Sequence, residues 1–204
     1  MTLDPNDMLN SILKSLDRIN YIKPEDIPNI DLYMDQVTTF IEQQLGNTKR
    51  HEEDKILTKT MINNYAKNDL LPPPIKKKYS KEHVLLLIFI YYFKNILSIG
   101  DIDKLLDPIT ESSFEKNSTI PLEQIYNEVF SLEKDQVRVL AKDIVSKFNI
   151  ATKTFEDASG DEADYLHYYS FICMLSFDVY VKKLMIEKLI DLLPNRDTTN
   201  KKKK

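Results

Sequence analysis

The chain has 204 residues, 42% of them hydrophobic and 29% charged, which is typical of a folded protein and not of a disordered or fibrous one. It has only three glycines, which excludes glycine-rich phosphate-binding loops and argues against tight hairpins, so the composition predicts an all-α fold. The one cysteine, Cys173, excludes an internal disulfide framework and cysteine-rich metal sites. Together with the absence of a signal-peptide pattern, this predicts a protein of the reducing cytoplasm.

The net charge of −4 is unevenly distributed along the chain. Residues 49–81 contain nine basic and four acidic residues, whereas residues 1–48 contain three basic and eight acidic ones. The remaining residues, 82–204, contain sixteen basic and twenty acidic ones. A basic segment in an otherwise acidic chain is the pattern expected of a local contact with a polyanion such as nucleic acid. The alternative is a solvated charged loop.

Residues 4–20 have the apolar spacing of an amphipathic helix, with Asp4 as N-cap and Pro5 at the first helical position. The apolar face is predicted to pack against the rest of the protein or, alternatively, to bind a partner. Two prolines in the following stretch predict an extended link. Residues 1–30 are therefore interpreted as an N-terminal helix and link.

Residues 31–108 are predicted to form a helical head. A first helix over residues 31–45 is closed by Gly46, and a second runs from Thr58, a good N-cap, to Asp69. Three consecutive prolines follow and end this second helix. They do so because proline has no backbone N–H and disfavours the helical conformation in the residue before it.

The sequence IKKKY, residues 75–79, is a short basic connection that we call the wing. The helix predicted next, from Ser80 to about Asn95, contains ten consecutive apolar residues. Such a run is too short to span a bilayer, which needs about twenty residues, so this helix is predicted to be buried on all sides. The last helix of the head starts at Ser98 and is predicted to end at Pro108.

Residues 107–120 contain several serines and asparagines and form the predicted boundary to a C-terminal helical domain, residues 121–194. Residues 122–148 have helical apolar spacing over their whole length. They form one helix, or two if Ser131 caps a second one.

A long helical pattern over residues 161–193 predicts a core helix or a dimerisation helix. The charges of Asp178 and Lys182, with His167, argue against a membrane span. Its aromatic residues are predicted to form a plain aromatic core or, alternatively, a pocket for a small-molecule effector. These residues are Tyr165, Tyr168, Tyr169, Phe171, Phe177 and Tyr180. The tail, residues 195–204, is predicted to be disordered, with lysines that attract nucleic acid weakly.

Motifs in the head resemble two known families. The order MINNYAKNDLLPPP, KKYSKEH and LSIGDIDKLL resembles the DNA-binding head of MerR-type bacterial regulators. In those proteins a recognition helix ends at a proline corner and is followed by a basic wing. The longer string from Asp31 to Pro108 resembles a bacterial family that is number 1836 among the domains of unknown function. The two resemblances imply a MerR-like helix-turn-helix head with a very short wing.

The resulting hypothesis is a DNA-binding transcriptional regulator. Four side chains are expected to face the major groove or its edges, since asparagine can pair with adenine: Thr60, Asn63, Asn64 and Lys67. Seven others are expected to contact phosphates: Lys59, Tyr65, Lys76, Lys77, Lys78, Tyr79 and Lys81. The C-terminal helices are expected to form a homodimer that matches a palindromic DNA site.

The sequence contains no recognisable catalytic, cofactor-binding or metal-binding motif, so we expect neither an enzyme nor a cofactor or metal. We also expect no association with membranes. The alternative function is a non-enzymatic helical protein-interaction module whose head has lost DNA binding. Asn63, at the position of a phosphate-binding arginine in the MerR pattern, and the short wing favour this alternative.

Overall fold

The computed structural model describes residues 5–16, 21–114 and 119–194. Within these residues the chain is mainly helical and has two strands of two residues each, in agreement with the predicted all-α class. The elements in chain order are α1 (Pro5–Leu16), β1 (Leu32–Tyr33), α2 (Met34–Leu45), α3 (Lys59–Lys67), β2 (Lys78–Tyr79), α4 (Lys81–Phe93), α5 (Ile99–Phe114), α6 (Leu122–Ser131), α7 (Glu133–Ala151) and α8 (Gly160–Leu192).

The chain divides into two compact units, and each unit combines separate stretches of sequence. Among the described residues, the head unit comprises residues 24–114, 119–125 and 183–194, and the bundle unit comprises residues 5–16, 21–23 and 126–182. The head unit contains β1 to α5 and the last turns of α8. The bundle unit contains α1, α7 and the first two thirds of α8.

Helix α4 is the centre of the head unit. Its residues from His83 to Ile90 are all buried, as predicted for a helix that is apolar on every side. Neighbouring helices contribute further buried side chains, which are Val37, Ile41 and Leu45 on α2, Ile62 and Tyr65 on α3, and Ile102 and Leu106 on α5. Each fully buried aliphatic side chain contributes about 1.5–3 kcal/mol, so this core is the main stabilising feature of the head unit.

Helix α3 begins at the predicted residue and ends within two residues of the predicted end. The Thr58 hydroxyl caps it by accepting a hydrogen bond from the Met61 N–H at 3.1 Å. Past its last turn the chain passes through Asp69, whose φ of 57° lies in the left-handed region that favours glycine. The Leu70 N–H then donates to the Tyr65 carbonyl at 3.0 Å. The corner is therefore closed by hydrogen bonds before the three prolines begin.

A short antiparallel sheet joins the entry of α2 to the wing. Leu32 pairs with Tyr79, and Tyr33 pairs with Lys78. The side chains of the first pair are buried in the core, whereas Tyr33 is exposed. The helix predicted to start at Asp31 therefore starts three residues later, because the intervening residues are extended by their pairing with the wing.

The prediction that Pro108 ends a helix is wrong, because α5 continues through it to Phe114. A proline inside a helix removes one backbone hydrogen bond, and tertiary packing on both sides can outweigh that loss. Leu106 is buried before the proline, and after it the Phe114 ring packs edge-on against the buried His83 ring with centroids 4.7 Å apart. The predicted boundary at residues 107–120 is thus helical over its first half.

The bundle unit is organised around a small core of Phe148, Ala151 and Phe171. Leu9 and Ile12 of α1 pack against it, which confirms the packing interpretation of that helix. The proposed cap Asp4 lies outside the described residues.

The stretch 122–148 forms two helices, α6 and α7, which settles the alternative left open by its sequence. Ser131 is not the cap of the second helix, since it is the last residue of α6 and its hydroxyl donates to the Glu128 carbonyl at 2.9 Å. In α6, the buried Tyr126 hydroxyl donates to the Ile22 carbonyl at 2.7 Å.

Helix α8 is a continuous helix of 33 residues, as the sequence predicts. In the bundle unit, one of its faces packs on the core through Phe171, Met174 and Leu175. Its other faces expose large side chains, which include Tyr165, Tyr169, Ile172, Phe177, Val179 and Tyr180. The expected plain aromatic core is therefore wrong for four of the six aromatic residues, because a helix buries only the face that has a neighbour.

Candidate nucleic-acid interface

The outward face of α3 is polar and basic. Every residue that the sequence analysis assigned to it, apart from Tyr65, is exposed: Lys59, Thr60, Asn63, Asn64 and Lys67. At 100° per residue these five positions fall within an arc of about 140°, and the buried Ile62 and Tyr65 lie on the opposite side. The helix thus separates a core face from a face with two amides, a hydroxyl and two ammonium groups.

Tyr65 and Tyr79 do not belong to this surface, and the expectation that they contact phosphates is corrected. Their side chains are 7% and 3% exposed, and burial raises the pKa of both hydroxyls. Tyr79 packs edge-on against the His83 ring with centroids 5.5 Å apart. Tyr65 follows Ile62 by three residues, so helical periodicity alone places it on the core face.

The wing is a two-residue hairpin turn. The Lys78 N–H donates to the Ile75 carbonyl at 3.0 Å, and these two residues form an antiparallel bridge. Between them Lys76 and Lys77 have φ values of 51° and 65°, so both adopt the left-handed conformation of a type I′ turn. Both lysines are exposed at the tip of the hairpin.

Several of the predicted phosphate contacts already have a partner within the protein. Lys59 forms an ion pair with Asp35, and both side chains are largely exposed. Such surface pairs contribute about 0–1 kcal/mol, so Lys59 can exchange this carboxylate for another anion at little cost. Lys81 is different, because its side chain is only 21% exposed and pairs with Glu123 at 2.9 Å. We therefore remove Lys81 from the candidate surface.

Contacts made by the start of α2 connect α3 with the wing. The Lys78 ammonium lies 5.2 Å from the centre of the Tyr33 ring. Two residues after Tyr33, Asp35 holds Lys59 at the beginning of α3. The start of α2 therefore contacts both Lys59 of α3 and Lys78 of the wing.

Sequence reasoning missed two exposed residues of this surface, Tyr33 and Ile75, which are 53% and 74% exposed. Ile75 is related to Lys78 by the local hairpin, whereas the relation of Tyr33 to Lys78 depends on the pairing of β1 with β2. Pairing between strands that are more than forty residues apart leaves no local pattern in the sequence, so only the fold reveals it.

His83 stabilises the junction of the wing with α4 through a hydrogen bond and two ring contacts. Its Nδ1 accepts a hydrogen bond from the Ser80 N–H at 3.0 Å, and its ring lies against those of Tyr79 and Phe114. The side chain thus satisfies a backbone group of its own helix start. Burial lowers the pKa of His83, although the carboxylate of Glu82 acts in the opposite direction. The neutral ring therefore holds the junction between the wing and α4.

In the part of the chain that the structure describes, no histidine, cysteine, aspartate and glutamate side chains form a group that could hold a metal ion. Over the same residues, every helix is either too short or too polar to cross a bilayer.

Comparisons with known proteins identify the family. The family described as "Domain of unknown function (DUF1836)" matches residues 22–129, which is just over half of the chain. The match includes β1, α3, the wing and most of α6. Searches of curated proteins and of solved structures found no match. The protein therefore belongs to the DUF1836 family of domains of unknown function.

Proposed function

We propose that the protein is a DNA-binding transcriptional regulator whose head contacts duplex DNA through α3 and the wing, in a MerR-like arrangement. The observation that carries the proposal is the exposure of the polar and basic face of α3, opposite the core, together with the exposed lysines at the tip of the wing.

In this proposal the two kinds of side chain have different tasks. Asn63 and Asn64 contact base edges in the major groove, since an asparagine amide can pair bidentately with adenine. The lysines contact phosphates and fix the position of the helix on the duplex. Four of the expected phosphate contacts remain after the corrections above: Lys59, Lys76, Lys77 and Lys78. We add Lys67, which was expected to face the groove or its edge, as a fifth.

A second copy of the chain completes the DNA-binding unit. On α8, Tyr165, Tyr169, Ile172, Ser176 and Val179 are spaced alternately by four and three residues and are all exposed. We call this row the α8 stripe. This is the spacing of the contact positions of a coiled coil, and all of its members except Ser176 are apolar or aromatic. A row of exposed apolar side chains marks an interaction surface. The proposal therefore assigns the α8 stripe to a homodimer.

A small-molecule effector in the same aromatic region is less well supported. Tyr165, Tyr169, Phe177 and Tyr180 are each more than half exposed and lie within an arc of about 120° on α8. A pocket for a small ligand would enclose such rings on several sides. The dimer thus accounts better for their position.

The alternative function, a protein-interaction module without DNA binding, makes a different prediction for charge reversal. Changing Lys76, Lys77 and Lys78 together to glutamate removes the wing's phosphate contacts and adds repulsion. We expect the Kd for a labelled duplex of about 30 base pairs and random sequence to rise about a hundredfold at low salt, because each lost phosphate contact also removes counterion release. Fluorescence anisotropy measures this change.

The matched control reverses three exposed lysines of the bundle unit, Lys14, Lys142 and Lys153, and so makes the same change in net charge. We expect it to change the Kd by no more than about twofold, since these residues make no phosphate contact in the proposal. For the unmodified protein, five contacts predict a slope of about −4 to −5 in log affinity against log salt. Equal losses in the two variants, or no binding by the unmodified protein, would favour the interaction module.

A further inference from the structure

An ion pair joins the start of α3 to the start of α2. Lys59 is the first residue of α3, and its ammonium pairs with the carboxylate of Asp35, the second residue of α2. The two side chains are 60% and 74% exposed, so solvent reaches both. A cation of the proposed DNA surface is therefore occupied by an anion of the same chain before any DNA is present.

The Asp35 carboxylate is not needed to cap α2. The residue before the helix is Tyr33, and its N–H donates to the side chain of Gln36 at 2.8 Å. Thr38 uses only the Asp35 carbonyl, to which its hydroxyl donates at 3.0 Å. An acidic residue in the first turn also interacts favourably with the helix dipole, but that interaction requires no lysine beside it. The contact with Lys59 is therefore additional to the role of Asp35 in its own helix.

Lys59 has a counterpart at the other end of α3. Lys59, Asn63 and Lys67 follow one another at four-residue intervals, so they form a row on the exposed face, with the amide between two ammonium groups. The two lysines are about 12 Å apart along the helix axis, and the major groove is also about 12 Å wide. They thus have equivalent positions relative to Asn63.

The two lysines differ in their surroundings. Lys59 has the Asp35 carboxylate, whereas Lys67 forms no ion pair with any residue that the structure describes. A phosphate that binds Lys59 must replace Asp35, and the displaced carboxylate is left close to that phosphate. A phosphate that binds Lys67 displaces only water and counterions. The same contact is therefore weaker at Lys59 than at Lys67.

We infer that Asp35 is an autoinhibitory residue, which weakens the binding of the head to DNA by occupying Lys59 in the free protein. This inference rests on the proposed DNA binding and adds a residue that limits its affinity. Non-specific binding depends almost entirely on phosphate contacts, so Asp35 weakens mainly the binding to DNA of unrelated sequence. Base contacts by Asn63 involve neither charge, and their contribution to specificity is retained.

The exchange of partners at Lys59 changes the salt dependence of binding. A lysine that neutralises a phosphate releases a counterion from the DNA, and each such contact adds about 0.9 to the slope of log affinity against log salt. When Lys59 moves to a phosphate, the Asp35 carboxylate loses its partner and attracts a cation from solution, which offsets part of that release. Removal of the carboxylate should therefore make the slope steeper, by up to about 0.9.

The test compares the full-length protein with its variant Asp35→Asn on the labelled random-sequence duplex described above. We expect the variant to lower the Kd about three- to fivefold at about 50 mM salt, which is the effect of one exposed ion pair. The difference should vanish at about 250 mM salt, because the steeper slope removes it. Asp35→Glu keeps a carboxylate near Lys59 and should bind like the unmodified protein.

The charge control is Glu53→Gln, which removes one exposed carboxylate from the loop before α3. We expect it to change the Kd by no more than about 1.5-fold, since salt screens a solvated carboxylate that holds no lysine. A double-mutant cycle with Lys59→Gln separates the exchange from general repulsion between Asp35 and DNA. In that background Asp35→Asn should have no more effect than Glu53→Gln, because no lysine remains to be released.

The two lysines of α3 provide a second comparison. In the unmodified protein, Lys59→Gln should raise the Kd at low salt about three- to fivefold less than Lys67→Gln, because Asp35 already opposes the contact made by Lys59. In the Asp35→Asn variant the two lysine substitutions should raise the Kd by about the same factor. Fluorescence anisotropy measures all of these Kd values.

The outcomes separate this inference from the function on which it rests. If Asp35→Asn strengthens binding equally with and without Lys59, the effect is general repulsion and the autoinhibitory role is overturned. It is overturned too if Asp35→Asn and Glu53→Gln bind the duplex alike. In both cases the DNA-binding proposal stands. Failure of the unmodified protein and of every variant to bind the duplex overturns both.

Discussion

Helices α4 and α8 are both rich in apolar residues, but the structure uses them in opposite ways. In α4 every residue from His83 to Ile90 is buried, because helices of the head unit surround it. In α8, Phe171 and Ile190 are buried, whereas many of the other apolar residues are exposed. The comparison teaches that α4 finds all its packing partners within the chain. The apolar surface of α8 exceeds what the described residues cover, which is why we propose that a second copy covers part of it.

The largest change in the free energy of unfolding is expected when a buried side chain of α4 is truncated. Leu86→Ala deletes a fully buried side chain and should lower the free energy of unfolding by about 2–5 kcal/mol, since the cavity adds to the lost transfer energy. Ile99→Ala, at an exposed position of α5, should change it by no more than about 0.5 kcal/mol. Denaturant unfolding followed by circular dichroism measures both. Equal effects would show that α4 is not the centre of the core.

The opposite result is expected for α8, where a change should affect association and not folding. Ile172→Asp puts a charge in the middle of the α8 stripe and should weaken the homodimer about tenfold to a hundredfold, as measured by sedimentation equilibrium. Phe177→Asp is the matched control, because Phe177 is similarly exposed but lies about 140° around the helix from Ile172. A protein that sediments at its monomer mass of 23.9 kDa before any substitution would contradict the dimer.

His83 is expected to make the stability of the head unit dependent on pH. Burial lowers the pKa of His83 in the folded protein, so below about pH 6.5 the unfolded chain takes up a proton that the folded one does not. Stability should therefore be full above this pH and fall as the pH drops toward the folded pKa, by at most about 1.4 kcal/mol per pH unit.

The variant His83→Gln tests this assignment, because glutamine can still accept the hydrogen bond from the Ser80 N–H. Glu82 and Asp31 also act on His83, and both remain in this variant. We expect its stability to vary less between pH 7 and pH 5 than that of the unmodified protein. The control is His51→Gln, in an exposed loop. A pH profile that is the same with and without His83 would argue against its role.

The smallest changes in the free energy of unfolding are expected from substitutions at residues of the head unit with a positive φ. Asp69→Gly and Lys77→Gly each relieve a positive φ and should raise the free energy of unfolding by about 0.5–1 kcal/mol. Only Lys77→Gly should also weaken DNA binding, since it alone removes a proposed phosphate contact. If the two variants bind DNA equally well, the strain at Lys77 has no connection with DNA.

The sequence predicts the parts of this fold that depend on local patterns. The burial of α4 follows from its apolar run, and the start of α3 follows from Thr58 and the later prolines. The exposed face of α3 follows from helical periodicity. These features need only short-range physics, so one sequence is enough to predict them.

The errors share a different cause, which is contact between residues that are distant in the sequence. The Phe114 ring is held against His83, and α5 therefore continues through Pro108. The wing pairs with β1, which buries Tyr79 and aligns Tyr33 with Lys78. Composition could not reveal that Tyr165, Tyr169 and Tyr180 of α8 are more than half exposed. Each of these outcomes was decided by packing and not by residue preference.

The most direct test of the proposed interface is to map the backbone amides that respond to DNA. Heteronuclear NMR spectra of the labelled protein, recorded with and without a duplex of about 30 base pairs and random sequence, report each amide separately. The account predicts shifts concentrated in residues 59–67 and 75–78, with little change in residues 142–182. Shifts confined to the bundle unit, or none at saturating DNA, would contradict it.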